Sequence, residues 1–108
     1  MKICITARGP TLDSPFEHHF ARAPYFIFYD NRTGTLDAVR NGFVISDSRI
    51  GRNVVQLLKL NGLDAVITGE IGDNARDLLK GADIPLHMYN GMGMVKDAID
   101  TVLPHPKE

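Results

Sequence analysis

The chain has 108 residues, 44% of them hydrophobic and 23% charged, with a formal net charge of −1. That length and apolar fraction predict one domain over residues 1–108, too hydrophobic for a disordered chain and large enough to fold without disulfides or a structural metal. Near-neutrality excludes a global pull toward nucleic acid or an anionic membrane, and a lone cysteine, Cys4, excludes an internal disulfide or a cluster held by several thiolates of one chain.

Met1-Lys2-Ile3-Cys4-Ile5 runs straight into a strand, Lys2 to Ala7, with no signal-peptide core before it. No apolar stretch approaches the ~20 residues of a membrane span, so the expected location is the cytoplasm. Both faces of this strand are apolar or small, which predicts cover on both sides. Arg8 to Ala23, rich in Gly, Pro, Asp, Ser and His, shows no periodicity and reads as a long loop, a common seat of function. Tyr25 to Asp30 is an aromatic, β-rich strand. Asn31-Arg32-Thr33-Gly34 supplies a turn, and Thr35 to Arg40 is its hairpin partner.

Asn41 to Arg49 is irregular. Ile50 to Asn61 places apolar residues on one helical face and closes at Asn61-Gly62. Asp64 to Thr68 is a buried strand, Asp73 to Lys80 a helix stopped at Gly81, and Pro85 to Tyr89 a last strand. Met94 to Leu103 is the final helix, ended by Pro104-His105-Pro106. The first three strands form an antiparallel meander, and the β-α-β-α-β remainder requires right-handed crossovers to parallel strands. With strand four beside strand one, the predicted fold is α/β, a five-stranded mixed sheet of order 3-2-1-4-5 with three helices.

In that order strands one, three, four and five point the same way, and a topological switch point lies between strands one and four. Open α/β sheets bind ligands at such crevices. The loops at this edge carry Arg8, His18, His19, Arg22, Arg49 and Arg52, and three helix N-termini add backbone N–H groups. Gly69, Gly72, Gly91 and Gly93 would let backbone approach a ligand, and Phe16, Phe20, Phe43 and Met92 could wall it from water. The gathering predicts an anionic ligand. Each residue has an ordinary alternative: surface histidines, solvated arginines, turn glycines, and gap-filling Met92 and Met94. Cys4, mid-strand, reads as a small buried hydrophobe.

The stretches Met1-Lys2-Ile3-Cys4-Ile5, Leu12-Asp13-Ser14-Pro15 and His19-Phe20-Ala21-Arg22-Ala23-Pro24-Tyr25-Phe26 resemble the opening of the dinitrogenase iron–molybdenum cofactor biosynthesis family. That family includes NifX-like proteins and the C-terminal part of NifB-like proteins. Gly69-Glu70-Ile71-Gly72-Asp73-Asn74-Ala75 is similar to its Gly-x-x-Gly-x-Asn-Ala segment, and Asn90-Gly91-Met92-Gly93-Met94-Val95 to its Gly-rich entry to the last helix. The chain departs from the pattern at Ala21, where the family often has Gly, over Gly42 to Arg49, and at Met94.

The resemblance implies a ribonuclease-H-like fold and binding of a metal–sulfur cofactor or precursor: an Fe–S cluster, a precursor of the iron–molybdenum cofactor, or the Mo–Cu–S cluster associated with the stand-alone orange proteins. The family's His-Phe pair falls on His19-Phe20, which assigns His19 as the metal contact. It further implies a carrier and not an enzyme, with cofactor donor and acceptor proteins as partners, no nucleic acid or membrane, and a monomer or weak homodimer. Two other readings stand beside it. One is a metal-free module binding a small anion or nucleotide; the other is a metal-dependent nuclease, for which the first strand offers Cys4 and Thr6 but no acid.

Overall fold

The computed structural model describes residues 2–20, 22–40 and 63–102. The elements are β1 (Lys2–Ala7), β2 (Tyr25–Asp30), β3 (Thr35–Arg40), β4 (Ala65–Thr68), α1 (Asp73–Gly81), β5 (Leu86–Met88) and α2 (Val95–Val102). They build a five-stranded sheet of order β3-β2-β1-β4-β5. β1 pairs antiparallel with β2, from Lys2 opposite Asp30 to Ala7 opposite Tyr25, and β2 antiparallel with β3. β4 lies parallel to β1, with Ile3 beside Ala65, and β5 parallel to β4, with Val66 beside Leu86. The mixed α/β sheet therefore has the expected order. Of the three expected helices, α1 and α2 are observed; the one over Ile50 to Asn61 lies outside the described residues.

The strands alternate between two apolar layers, as a period of two requires. On one face Cys4, Phe26, Phe28 and Val66 pack with Ala75 and Leu79 of α1, with Ile84, and with Phe20 from the loop. On the other, Ile3, Ile5, Ile27, Ala65 and Ile67 lie under Val95, Ala98 and Ile99 of α2, joined by Phe16. β1 is central and buried from Ile3 to Ala7, while β3, at the sheet edge, is largely exposed. Burying a side chain such as Ile5 stabilises the fold by about 1.5–3 kcal/mol.

Two local features set the ends of elements. Gly34, with φ 76°, closes the β2–β3 turn by donating its N–H to Asp30 O at 2.8 Å, a left-handed position that favours glycine. Helix α1 includes Gly81 as its last residue, one beyond the expected Lys80. Its left-handed terminator is Asp83, φ 59°, which follows Ala82 N–H donated to Leu78 O at 3.0 Å.

Among the described residues no helix is long and apolar enough to cross a membrane.

Candidate functional site

The long loop after β1 is bolted across the C-terminal ends of β1 and β4. Glu17 N–H donates to Thr6 O at 3.1 Å, and the Thr6 hydroxyl donates back to Glu17 O at 2.6 Å. The Thr6 and Thr68 hydroxyls lie 3.0 Å apart, joining the two strands beneath the loop. Gly69 N–H donates to His18 O at 3.1 Å, and Phe20 N–H to Glu70 O at 2.9 Å. These bonds turn residues 16–20 into a short extended rung over the switch point between β1 and β4. The crevice expected there is thus partly filled by the chain itself.

His18 is engaged internally. Its Nε2–H donates to Gly91 O at 2.9 Å, and its ring meets Phe16 edge-on at 5.1 Å. A Cβ at Gly69 would come within 3.0 Å of the His18 backbone, one at Gly91 would strike the Tyr89 hydroxyl, and one at Gly93 the Asp97 carboxylate. These three glycines make room for the protein's own side chains. Gly72 alone of the four has nothing within 4 Å of a Cβ.

Helix N-termini differ in the same way. At α2, Val95 N–H donates to Ser14 O (2.9 Å), Lys96 N–H to Leu12 O (3.0 Å), and Met94 N–H to Asp97 Oδ2 (2.8 Å), half of a capping box. That terminus is consumed by the fold. At α1 the N-cap is Gly72, with φ −71°, ψ 158° and no side-chain cap, so among the described residues no capping side chain takes up the first-turn N–H groups.

The positive charges are also redistributed. Arg8 Nε bonds Glu17 Oε1 at 3.0 Å, and the other oxygen of this largely buried carboxylate accepts His19 N–H at 3.0 Å. His19 Nδ1 lies 3.2 Å from Glu70 Oε2. Arg22 makes no ion pair among the described residues and is exposed. Arg49, with Phe43 and Arg52, lies outside the described residues. Phe16 and Phe20 are turned into the core, at 3% and 1% exposure, Phe20 also lining the cleft beside α1, while Met92 is 91% exposed. Cys4 is fully buried, and burial pushes its thiol up, away from the thiolate a metal would need.

What remains beside α1 is a shallow cleft of about 220 Å³ lined by His19, Phe20, Arg22, Glu70, Ile71 and Gly72. It joins an imidazole, a guanidinium and an uncapped helix N-terminus, with Glu70 and Asp73 as the acids nearby. Among the described residues no three His, Cys, Asp or Glu side chains converge as a metal-ligand group. A metal cargo here would meet a single imidazole and hydrogen-bond donors. The sequence reading missed Glu70 and Glu17 as partners of His19. Glu70 sits two residues past β4 at the same edge, so topology offered a hint; the loop register that aligns it with His19 left no periodic signal.

The sequence profile described as "Dinitrogenase iron-molybdenum cofactor" matches residues 1–104, and the chain belongs to that family. Among solved structures, the apo form of the orange protein from Desulfovibrio gigas superposes with a TM-score of 0.87 at 31% identity, over 94% of this chain and 86% of that one. A Thermotoga protein described as a candidate NifB superposes with a TM-score of 0.82 at 34% identity, over 94% and 85% of the two chains. A Methanocaldococcus jannaschii protein described as a candidate dinitrogenase shares the fold, with a TM-score of 0.64 at 15% identity over 94% and 88%. No curated protein sequence matches the chain.

Proposed function

We propose that this protein binds and carries a compact anionic metal–sulfur cluster, or a precursor of one, in the cleft beside α1. The observation that carries the reading is the convergence of His19, Arg22 and the uncapped α1 N-terminus on one open volume. Helix N–H groups and a guanidinium suit the sulfides and negative charge of such a cargo, and one imidazole suits its metal. The volume, about 220 Å³, is below the roughly 300–1,000 Å³ of organic-ligand pockets, which favours an inorganic anion over a dinucleotide. Few covalent contacts and an open mouth suit a carrier, which must release what it binds, and the partners would be the proteins that supply and accept the cluster. Membership in the iron–molybdenum cofactor family and the likeness to the orange protein support a cluster of the Fe–S, Mo–Fe–S or Mo–Cu–S kind.

The test is uptake by the protein purified without oxygen, offered tetrathiomolybdate with copper(I) or ferrous iron with sulfide. His19→Ala and Arg22→Ala should each retain several-fold less metal than the parent after gel filtration. Equal retention in both variants would refute the assignment of the cleft.

A further inference from the structure

β5 is the last strand on its side of the sheet. Val66 N–H donates to Pro85 O and Tyr89 N–H to Thr68 O, both at 2.9 Å, so residues 85, 87 and 89 face β4. By the period of two, the backbone N–H and C=O groups of Leu86 and Met88 point outward, and among the described residues no backbone group pairs with them. Beside this edge, α1 and β5 border an open groove of about 430 Å³ whose lining includes Arg76, Leu79, Lys80, Ile84, Leu86 and Met88. Leu79 and Ile84 are buried, while Met88 is 43% exposed. Arg76 and Lys80, one helical turn apart on α1, are exposed and have no ion-pair partner among the described residues. No acid among those residues lines the groove.

We propose that this edge is a docking site for an extended segment of a partner protein, one that carries an apolar side chain between acidic ones. Such a segment would add a strand beside β5, its main chain bonding Leu86 and Met88 and its alternate side chains entering the groove. The apolar side chain would meet Ile84, Leu86 and Met88, and the acids Arg76 and Lys80. The same cations select against a second copy of this chain. Two β5 edges paired antiparallel about a two-fold axis would set both α1 helices on one face of the joined sheet, with like charges opposed. That repulsion, and a strand of only 3 residues, guard the edge against self-association. Helix α1 also borders the cleft at its N-terminus, and its 9 residues span about 13 Å, so a docked partner stands one short helix from the cleft. The docking stands apart from the carrier reading; only its use in delivering a cluster rests on that reading.

The probe is the capped peptide Glu-Thr-Val-Thr-Glu, whose two acids and valine share one face when extended. It is titrated into the cluster-free, ¹⁵N-labelled protein and followed by amide shifts, which register binding even at a millimolar Kd. The amide protons of Leu86 and Met88 should move downfield as they gain acceptors, with shifts along β5 and α1 and none at the opposite edge, β3. The lysine counterpart, Lys-Thr-Val-Thr-Lys, should leave them still. Arg76→Glu combined with Lys80→Glu, at exposed positions, should weaken the acidic peptide at least about tenfold and admit the lysine one. Met88→Pro removes an outward N–H without touching the ladder to β4, and should weaken binding with the charges intact. Leu86 and Met88 amides unmoved by about 10 mM acidic peptide, or moved equally by the lysine one, would overturn the proposal. So would β5 shifts that depend on protein concentration without peptide, which would give the edge to a second copy. No cluster is present in this titration, so its outcome is separate from metal retention in the cleft.

Discussion

Gly69→Ala probes how closely the loop is seated on the sheet. A Cβ at position 69 would lie 3.0 Å from His18 Cα and Cβ and 2.8 Å from its ring Cδ2. The backbone atom cannot rotate aside, so the rung must lift away from β4. Overpacking of this kind costs about 1–3 kcal/mol. Weakening the Gly69 N–H to His18 O bond, 3.1 Å in the parent, costs about 1 kcal/mol more. Restricting the unfolded chain returns about 0.4–1 kcal/mol. The net is a loss of about 1–3.5 kcal/mol. At roughly 2.1 cal/mol/K of unfolding entropy per residue, a chain of 108 residues loses about 4.4 °C per kcal/mol, so Tm should fall by roughly 4–16 °C. Urea denaturation with an unchanged m value measures it, with Gly81→Ala as the matched control, since nothing stands within 4 Å of a Cβ there. At that last residue of α1 alanine should leave stability unchanged or raise it by up to about 1 kcal/mol. If Gly69→Ala is as stable as Gly81→Ala, the close seating of the loop is wrong.

Thr6→Val keeps the shape of the side chain but leaves the carbonyl of Glu17 without its donor; urea titration should show a loss of about 1–3 kcal/mol. Gly72→Asp supplies the missing N-cap of α1 and a charge favourable to its dipole, so thermal unfolding should show a gain of about 0.5–1 kcal/mol. The same carboxylate would occupy the donors meant for the cargo, and metal retention after loading should drop several-fold. Cys4, buried with its thiol pushed up, should resist iodoacetamide at pH 8 in the native protein and react fully in urea, as mass spectrometry would show; rapid native labelling would contradict its burial.

Much of the fold was legible because its strands announce themselves twice, by β-rich composition and by their bounding turns. Tyr25 to Asp30 and Thr35 to Arg40 were readable to the residue on either side of Asn31-Arg32-Thr33-Gly34. With strand four placed beside strand one, right-handed crossovers give the observed sheet order. Helix ends were less legible: Gly81 looks like the stop of α1, yet Asp83 takes the left-handed conformation, which Asp tolerates better than most side chains.

Of the candidate site, topology alone brought His19, Arg22 and Gly72 to one edge. Which groups stay available there was not legible, because it depends on the register of a loop without periodicity. That register gives His18 to Gly91, Arg8 to Glu17 and the α2 N-terminus to Leu12 and Ser14, and leaves the cleft by α1. Glycines are ambiguous in the sequence for a related reason. A missing side chain accommodates whatever is nearest, and at Gly69, Gly91 and Gly93 that is the protein itself.

The measurement that tests the account most directly is metal and sulfide analysis with a visible spectrum, on the parent protein purified without oxygen and loaded with tetrathiomolybdate and copper(I) or with ferrous iron and sulfide. The account predicts a fixed metal-to-protein ratio with sulfide-to-metal absorption, both lost in His19→Ala. No metal and no colour under either condition, with inorganic phosphate binding at the α1 cleft instead, would contradict it and mark the protein as a small-anion binding module.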